Sequence, residues 1–532
     1  MTSLVTPTPD VEGPGTAVPG PSRRRAPLPL VAAALGATLL AVLPLVYLVM
    51  RATQDGWAKV GDTLWRSSML ERTLRTLELA AVVTVGCLVI GIGLAWLVAR
   101  TDLPGRRFLR VLVGLPLALP SYVAAVGWIG RQPELAGRTG AMVVLITISY
   151  PYVYLPVMAA LRRCDPALED AARSLGHGSW SVFWRVTLPQ VRIAAAGGAL
   201  LVGLYALSDF GAVATMRYDV LTRSIYQSYR GSADWTPAAI LGCVLAVLAV
   251  VVVAAEGRLR RKHGSAKIGG GAPSDQHLVA LGRARWPALL APVGILTVAL
   301  GVPARGLQIW FSRGSSRPDW GTFTEATFNT LQVGALGAGV VLLVAFPVAL
   351  LAVRHPGWVP RLAGRAAYAG HALPGVVVGL ALVFFGIRVV PSMYQRLPML
   401  VLAYLVLFLS LGLGALQAAI AQIPPVLDDV ARSLGRSPFG VWRSVTVRLA
   451  APGVGAAATL VFLTIMKELP ATLFLRPTGF PTLATQLWSH NTAFARAAAA
   501  PYAVAIVALA ALPTALLAIL GDRGVRGARA RR

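Results

Sequence analysis

The sequence predicts an all-α integral membrane protein of about 12 transmembrane helices, built as two parallel six-helix repeats. Three observations predict it: too little charge for a water-facing fold, apolar runs that recur along the chain, and a polar motif that occurs twice at a fixed offset. Of 532 residues, 56% are hydrophobic and 13% charged, about half the charged share of a soluble domain. Mean hydropathy is +0.66. Runs of roughly 20 apolar residues are long enough to cross a hydrocarbon core of about 30 Å. Their continuity predicts helices, since a barrel shows short alternating segments.

Residues 1–28, rich in Pro, Gly and Thr with Arg23-Arg24-Arg25 near their end, read as a disordered cytoplasmic tail. The span that follows lacks a small-residue cleavage site and reads as a retained helix. The first half, 29–255, carries apolar spans near 29–50, 76–99, 108–130, 140–161, 191–212 and 237–255. A linker at 256–285, basic and with Gly269-Gly270-Gly271, reads as flexible and cytoplasmic. The second half, 286–520, carries spans near 286–304, 330–353, 367–388, 398–421, 451–474 and 501–520, and 521–532 is a basic cytoplasmic tail.

Net charge is +27. With the N-terminus inside, about 31 Lys and Arg fall in cytoplasmic loops and tails and about 17 outside, which the positive-inside rule explains without nucleic acid. An even number of spans puts both termini in the cytoplasm. Cys87, Cys164 and Cys243 are too far apart to suggest a disulfide framework or a metal cluster.

The repeat fixes the architecture. Leu168-Glu169-Asp170-Ala171-Ala172-Arg173-Ser174-Leu175-Gly176 matches Leu427-Asp428-Asp429-Val430-Ala431-Arg432-Ser433-Leu434-Gly435 at an offset of 259. Trp184-Arg185-Val186-Thr187 resembles Trp442-Arg443-Ser444-Val445-Thr446 with a one-residue slip, and Asp209 falls 259 residues before Glu468. Upstream, Leu119-Pro120 resembles Leu373-Pro374 at an offset of 254, so about five residues are added in the later half, most simply near 389–397. Six spans per half make the repeat parallel, with a pseudo-twofold axis along the membrane normal and a path between the halves.

Both motif copies lie in the loop between the fourth and fifth spans of a half. Asp165-Pro166 predicts a cap followed by a first-turn proline, Glu169 and Asp170 suit a helix N-terminus, and Gly176 can take the left-handed conformation that ends the helix. Such a short, small-faced helix can dock into a groove on another protein.

These loops resemble the EAA motif of binding-protein-dependent ABC importer permeases: Glu-Ala-Ala, three residues, Gly, then Leu-Pro. Asp170-Ala171-Ala172, Gly176 and Leu188-Pro189 fit with Asp for Glu. Asp429-Val430-Ala431 and Gly435 depart further, with Val for the first Ala and Val447-Arg448 where Leu-Pro is expected. The resemblance covers the chain beyond its tail. It implies coupling helices carrying Glu169, Asp170, Ala171, Ala172 and Gly176, and Asp428, Asp429, Ala431 and Gly435, seated in two copies of an ABC ATPase subunit. It also implies an extracytoplasmic substrate-binding protein and a bacterial plasma membrane. No cofactor is expected in this chain, ATP and Mg being held by the ATPase.

Arg100-Thr101-Asp102-Leu103-Pro104-Gly105-Arg106-Arg107, Ser208 to Val213, Lys467 to Thr472, Arg476 to Phe480 and Thr482 to Thr485 resemble the ferric-iron permeases. Thiamine permeases share much of this pattern, and phosphonate and polyamine importers are further alternatives. Charged residues inside spans usually face a cavity or a partner; Asp209, Lys467 and Glu468 are the candidates, either lining the path or holding helices together. No convergent carboxylates, Tyr or His of the kind that bind Fe(III) tightly are evident, which places selectivity in the binding protein; His371 reads as structural. None of Lys59, Lys262, Lys267 and Lys467 follows a glycine, so the chain lacks a Gly-Lys-Ser/Thr phosphate loop. An ion-gradient-driven secondary transporter would share the six-plus-six repeat but not the paired docking helices, and a membrane enzyme would need a convergent catalytic set that is not seen.

Overall fold

The computed structural model describes residues 26–164, 166–231, 234–262 and 278–511. Most of the 1–28 tail, Asp165 with its predicted capping role, the middle of the 256–285 linker and the 521–532 tail lie outside those residues. Among the described residues the chain is helical throughout, with one isolated β-bridge between Thr101 and Val279.

Among the described residues nine helices are long and apolar enough to cross a membrane, and two bent helix pairs and the shorter Arg496–Ala511 helix bring each half to six. In the first half the long ones are Leu28–Thr53, Ser67–Arg100, Arg138–Leu161, Ser179–Ser208 and Thr236–Ala255; in the second, Gly282–Ser312, Trp320–Arg354, Leu397–Ala421 and Trp442–Met466. Ser67–Arg100 and Trp320–Arg354, of 34 and 35 residues, are about 50 Å long at 1.5 Å per residue. They project well beyond the hydrocarbon and carry Arg100 and Arg354 to the end where the motif helices sit.

Four predicted spans need correction. Those at 108–130 and 367–388 are not straight: Arg106–Ala118 meets Ser121–Arg131 at 93°, and Trp358–Ala372 meets Gly375–Arg388 at 104°. The cause is local. Pro120 and Pro374 drive the preceding Leu119 and Leu373 into extended backbone, ψ 118° and 131°, which no helix can continue. The spans at 191–212 and 451–474 end at Ser208 and Met466 and resume as short helices, Gly211–Thr215 and Pro470–Leu475. The added residues of the second half are also only partly in the loop, because Gly375–Arg388 has 14 residues against 11 in Ser121–Arg131. Finally, no slip follows the motif. Single π-turns at Phe183–Thr187 and Trp442–Thr446 keep the 259 offset and place Phe183, not Trp184, opposite Trp442.

The leading helix of each half packs on the other half. Leu28–Thr53 lies against the Gly375–Arg388 helix, with Tyr47 and Phe385 rings 5.0 Å apart edge to face. The Val302–Arg313 helix crosses Ser121–Arg131 so closely that a Cβ on Gly306 would stand 1.7 Å from the Gly127 carbonyl oxygen, and one on Gly127 2.5 Å from that of Pro303. Glycines permit this approach, as at many helix crossings in lipid.

Candidate functional site

The motif helices are Pro166–Ser174 and Val426–Ser433. Both stop the same way. Gly176 and Gly435 have φ of 84° and 79°. His177 N donates to the Ala172 carbonyl and Arg436 N to that of Ala431, each at 3.2 Å. These are the i to i−5 bonds of a Schellman cap, which satisfy carbonyls that the helix end leaves free.

Each helix has an inner and an outer face. On the inner face Ala172 and Ala431 are buried, thin enough for the helix to lie on the bundle. Beside Ala172, Glu169 is buried and pairs with Arg100 at 3.2 Å, while Thr187 Oγ1 donates to it at 3.0 Å and Arg173 at 3.3 Å. The second copy repeats the pairing between Asp428 and Arg354 at 3.3 Å, in a wetter setting with both side chains 13% exposed. Asp428 is one methylene shorter than Glu169, and its Oδ1 lacks a hydrogen-bond partner. Asp170 and Asp429 face outward and bond Arg173 and Arg432 one turn on. On the outer face Leu175 is 79% exposed and Leu434 77%, flanked by Leu168 and Leu427. Ala171 and Val430 occupy this same exposed face, so the change from Ala to Val leaves the inner packing untouched. At the Val447-Arg448 departure the preceding π-turn is kept.

The loop after Arg100 is also tied to the end of the linker. Val279 N donates to the Arg100 carbonyl at 2.8 Å, and Leu281 N to Asp102 Oδ1 at 2.8 Å. That role for Asp102 left no trace in its sequence context.

Between the halves lies a cavity of about 340 Å³ whose lining includes Asp209, Lys467 and Glu468. All four helix breaks converge on it. The two acids are equivalent in structure as well as offset. Asp209 Oδ2 accepts from Ala212 N at 2.9 Å and Val213 N at 3.3 Å. Glu468 accepts from Ala471 N at 3.2 Å and Thr472 N at 3.4 Å. Each thus caps the short helix that follows its break, where the helix dipole favours negative charge. Their lengths are compensated across the cavity. At the 254 offset Ser121 corresponds to Gly375, and a Cβ on Gly375 would stand 2.3 Å from Glu468 Oε1. The longer acid is accommodated by the missing side chain.

Lys467 faces the same cavity, and no ion pair joins it to Glu468 among the described residues. His371 lines the cavity too, its Nδ1 2.6 Å from the Leu407 carbonyl. Tyr122, Tyr152 and Tyr205 complete much of the first half's wall. These three were missed from sequence, although the Leu119-Pro120 repeat marked the break beside the first of them. At the opposite end from the motif helices, Lys59 bonds Asp55 and Asp234. That contact holds the Asp234 carboxyl down to about 2 and raises the lysine.

A duplicated six-helix bundle with paired helices on one end and a polar cavity between its halves defines a membrane transport subunit. The chain belongs to the family described as binding-protein-dependent transport system inner membrane component, whose profile matches residues 87–263 and again 342–526. It is 33% identical over 468 residues to the Fe(3+)-transport system permease protein FbpB 2 of Haemophilus influenzae, covering 87% of this chain and 92% of that protein. It is also 30% identical to a probable sulfate transport system permease protein cysT of Chlorokybus atmophyticus, over 38% of this chain and 78% of that protein. The sulfate permease CysW of Escherichia coli K12 is 28% identical over 39% of this chain and 79% of its own. The protein is therefore a fused, two-half permease of an ABC importer.

Proposed function

We propose that this permease carries ferric iron, received from an extracytoplasmic binding protein, across a bacterial plasma membrane. The ferric relative spans both halves, whereas the sulfate relatives named above match about one half's length, which supports iron over sulfate. Both termini lie on the cytoplasmic side. Two copies of an ABC ATPase subunit, holding ATP and Mg, grip the segments 165–178 and 424–437.

The observation that carries the coupling role is the paired, equally exposed leucine knob. Leu175 and Leu434 stand out at the same position of two helices whose inner faces are anchored to the ends of long spans. ATP binding draws the ATPase subunits together and the helices with them. Because Glu169 and Asp428 tie those helices to Arg100 and Arg354, the motion passes into Ser67–Arg100 and Trp320–Arg354 and rocks the halves about the central cavity. ATP supplies the difference in free energy between the two states. Asp209 and Glu468 hold the breaks that shape the path, and Lys467 is the free charge that the passing cargo meets.

The test is Gly176→Asp with Gly435→Asp. A membrane-inserted double variant should no longer co-purify with its ATPase subunits, and unchanged co-purification rejects the docking role. For the cargo, proteoliposomes holding permease, ATPase and binding protein should accumulate radioactive ferric iron only with ATP. Accumulation driven by an ion gradient without nucleotide would refute the reading.

A further inference from the structure

Two more cavities lie at the end of the bundle opposite the motif helices. One, of about 400 Å³, is lined by Arg217, Arg223 and Arg496; the other, of about 200 Å³, by Arg230 and Arg476. Among the described residues no Asp or Glu lines either. Asp219, 3.9 Å from Arg223, is already engaged by Arg72 and Ser224.

The two cavities are copies of one site. Arg217 and Arg476 are 259 residues apart, each just beyond the short helix that Asp209 or Glu468 caps. In the next segment the register is fixed by a repeated bond: Leu221 N donates to Thr76 Oγ1 at 3.0 Å, and Leu483 N to Thr330 Oγ1 at 2.9 Å. That aligns Leu221 with Leu483, an offset of 262, and therefore Tyr226 with Trp488 and Arg230 with Thr492. The first cavity joins Arg217 of one half to Trp488 and Thr492 of the other; the second joins Arg476 to Tyr226 and Arg230. The Tyr226 and Trp488 rings meet edge-on between them, 6.0 Å apart at 88°, where the pseudo-twofold axis must pass.

The larger copy gathers its cations around aromatic rings. Arg217 and Phe494, each with φ of 58°, lie just past the helices Gly211–Thr215 and Leu483–Thr492, which end with i to i−5 bonds from Tyr218 N to the Val213 carbonyl and from Ala495 N to that of His490, both at 2.9 Å. The Arg217 and Arg496 guanidinium groups stand 5.5 and 5.4 Å from the same Phe494 ring. Two cations thus share one ring; Arg496 also lies 4.7 Å over the Trp310 ring, and its Nε is buried without a hydrogen-bond partner. Like charges gathered at one ring repel, and an anion between them removes the repulsion.

We propose that the cavities are a pseudo-twofold pair of binding sites for a small oxyanion of the phosphate, sulfate or carbonate class, with Arg217 and Arg476 as equivalent donors. Guanidinium forks match such oxygens bidentately. The assignment is independent of the identity of the transported cargo.

The experiment is calorimetric titration of the purified full-length permease, in nanodiscs of zwitterionic lipid at low salt, with inorganic phosphate and with sulfate. Saturable binding is expected, weakened at least tenfold in Arg217→Gln with Arg476→Gln and unchanged in Arg107→Gln at the opposite end. A second variant guards against misfolding. Arg217→Gly has a backbone at ease at φ 58°, so it should unfold at no lower a temperature than wild type and still bind phosphate at least tenfold more weakly. Absence of saturable binding by wild type, or wild-type affinity in the double or the glycine variant, overturns the proposal.

Discussion

Replacing Glu169 by Gln tests whether the motif helix is rigidly seated on the bundle. Arg100 is 1% exposed, and its Nε and Nη1 have no hydrogen-bond partner, so Glu169 at 3.2 Å is the charge that justifies its burial. Removing one partner of a buried pair typically costs about 3–5 kcal/mol, because the other charge is left uncompensated. If that cost falls on the seated helix alone, its opening equilibrium rises by roughly two hundred- to five thousand-fold. Hydrogen–deuterium exchange of 166–178 in nanodiscs reads this directly: protection there should fall by that factor, while 426–437 stays unchanged. Arg100→Met with Glu169→Leu should recover most of the protection, since replacing both charges by apolar groups of similar size is often nearly neutral. Asp428→Asn should have a smaller effect, because its pair with Arg354 is wetter. Wild-type exchange in Glu169→Gln, or a larger effect at Asp428, would refute the reasoning.

Gly375→Ser should displace the Glu468 carboxylate from its cap and overpack the cavity wall, at about 1–3 kcal/mol. Adding Glu468→Asp, which gives the second half the Ser and Asp found at Ser121 and Asp209, should restore thermal stability and transport; no rescue would disprove the length compensation. Gly306→Ala should force two backbones apart, lowering stability by about 3 kcal/mol, whereas Gly339→Ala, with open space around it, should be silent in the same melting assay. The Asp234 carboxyl, normally near 3.8, is held at about 2 by Lys59. Its contribution is therefore complete above pH 4 and disappears as pH falls from there through 2. The melting difference between wild type and Asp234→Asn should be flat from pH 5 to 8 and shrink only in stronger acid; a difference that widens on acidification contradicts the assignment.

The parts of the fold legible in sequence were those encoded by local repetition. The 259-residue offset of the motif, the paired glycines with positive φ and the equivalence of Asp209 with Glu468 needed only side-chain identity in register. The right-angle breaks were hidden, because apolar composition runs unchanged across Leu119-Pro120 and Leu373-Pro374; the prolines were noticed as a repeat but not as corners. Arg100 was harder still. At the end of a span an arginine reads as a loop charge obeying the positive-inside rule, and only the fold brings it to Glu169, 69 residues on, and buries both. The arginine cavities depend on residues about 250 to 280 positions apart, beyond the reach of pattern reading.

The exchange of leading helices has a consequence for how the molecule is made. Neither 29–255 nor 286–511 encloses its own core: the Ser121–Arg131 segment awaits a neighbour some 180 residues downstream, and Gly375–Arg388 is covered by Leu28–Thr53 from the other half. A protease cut within 263–277 would therefore leave two fragments still clasped together, while either fragment expressed alone would expose an unfinished seam to lipid.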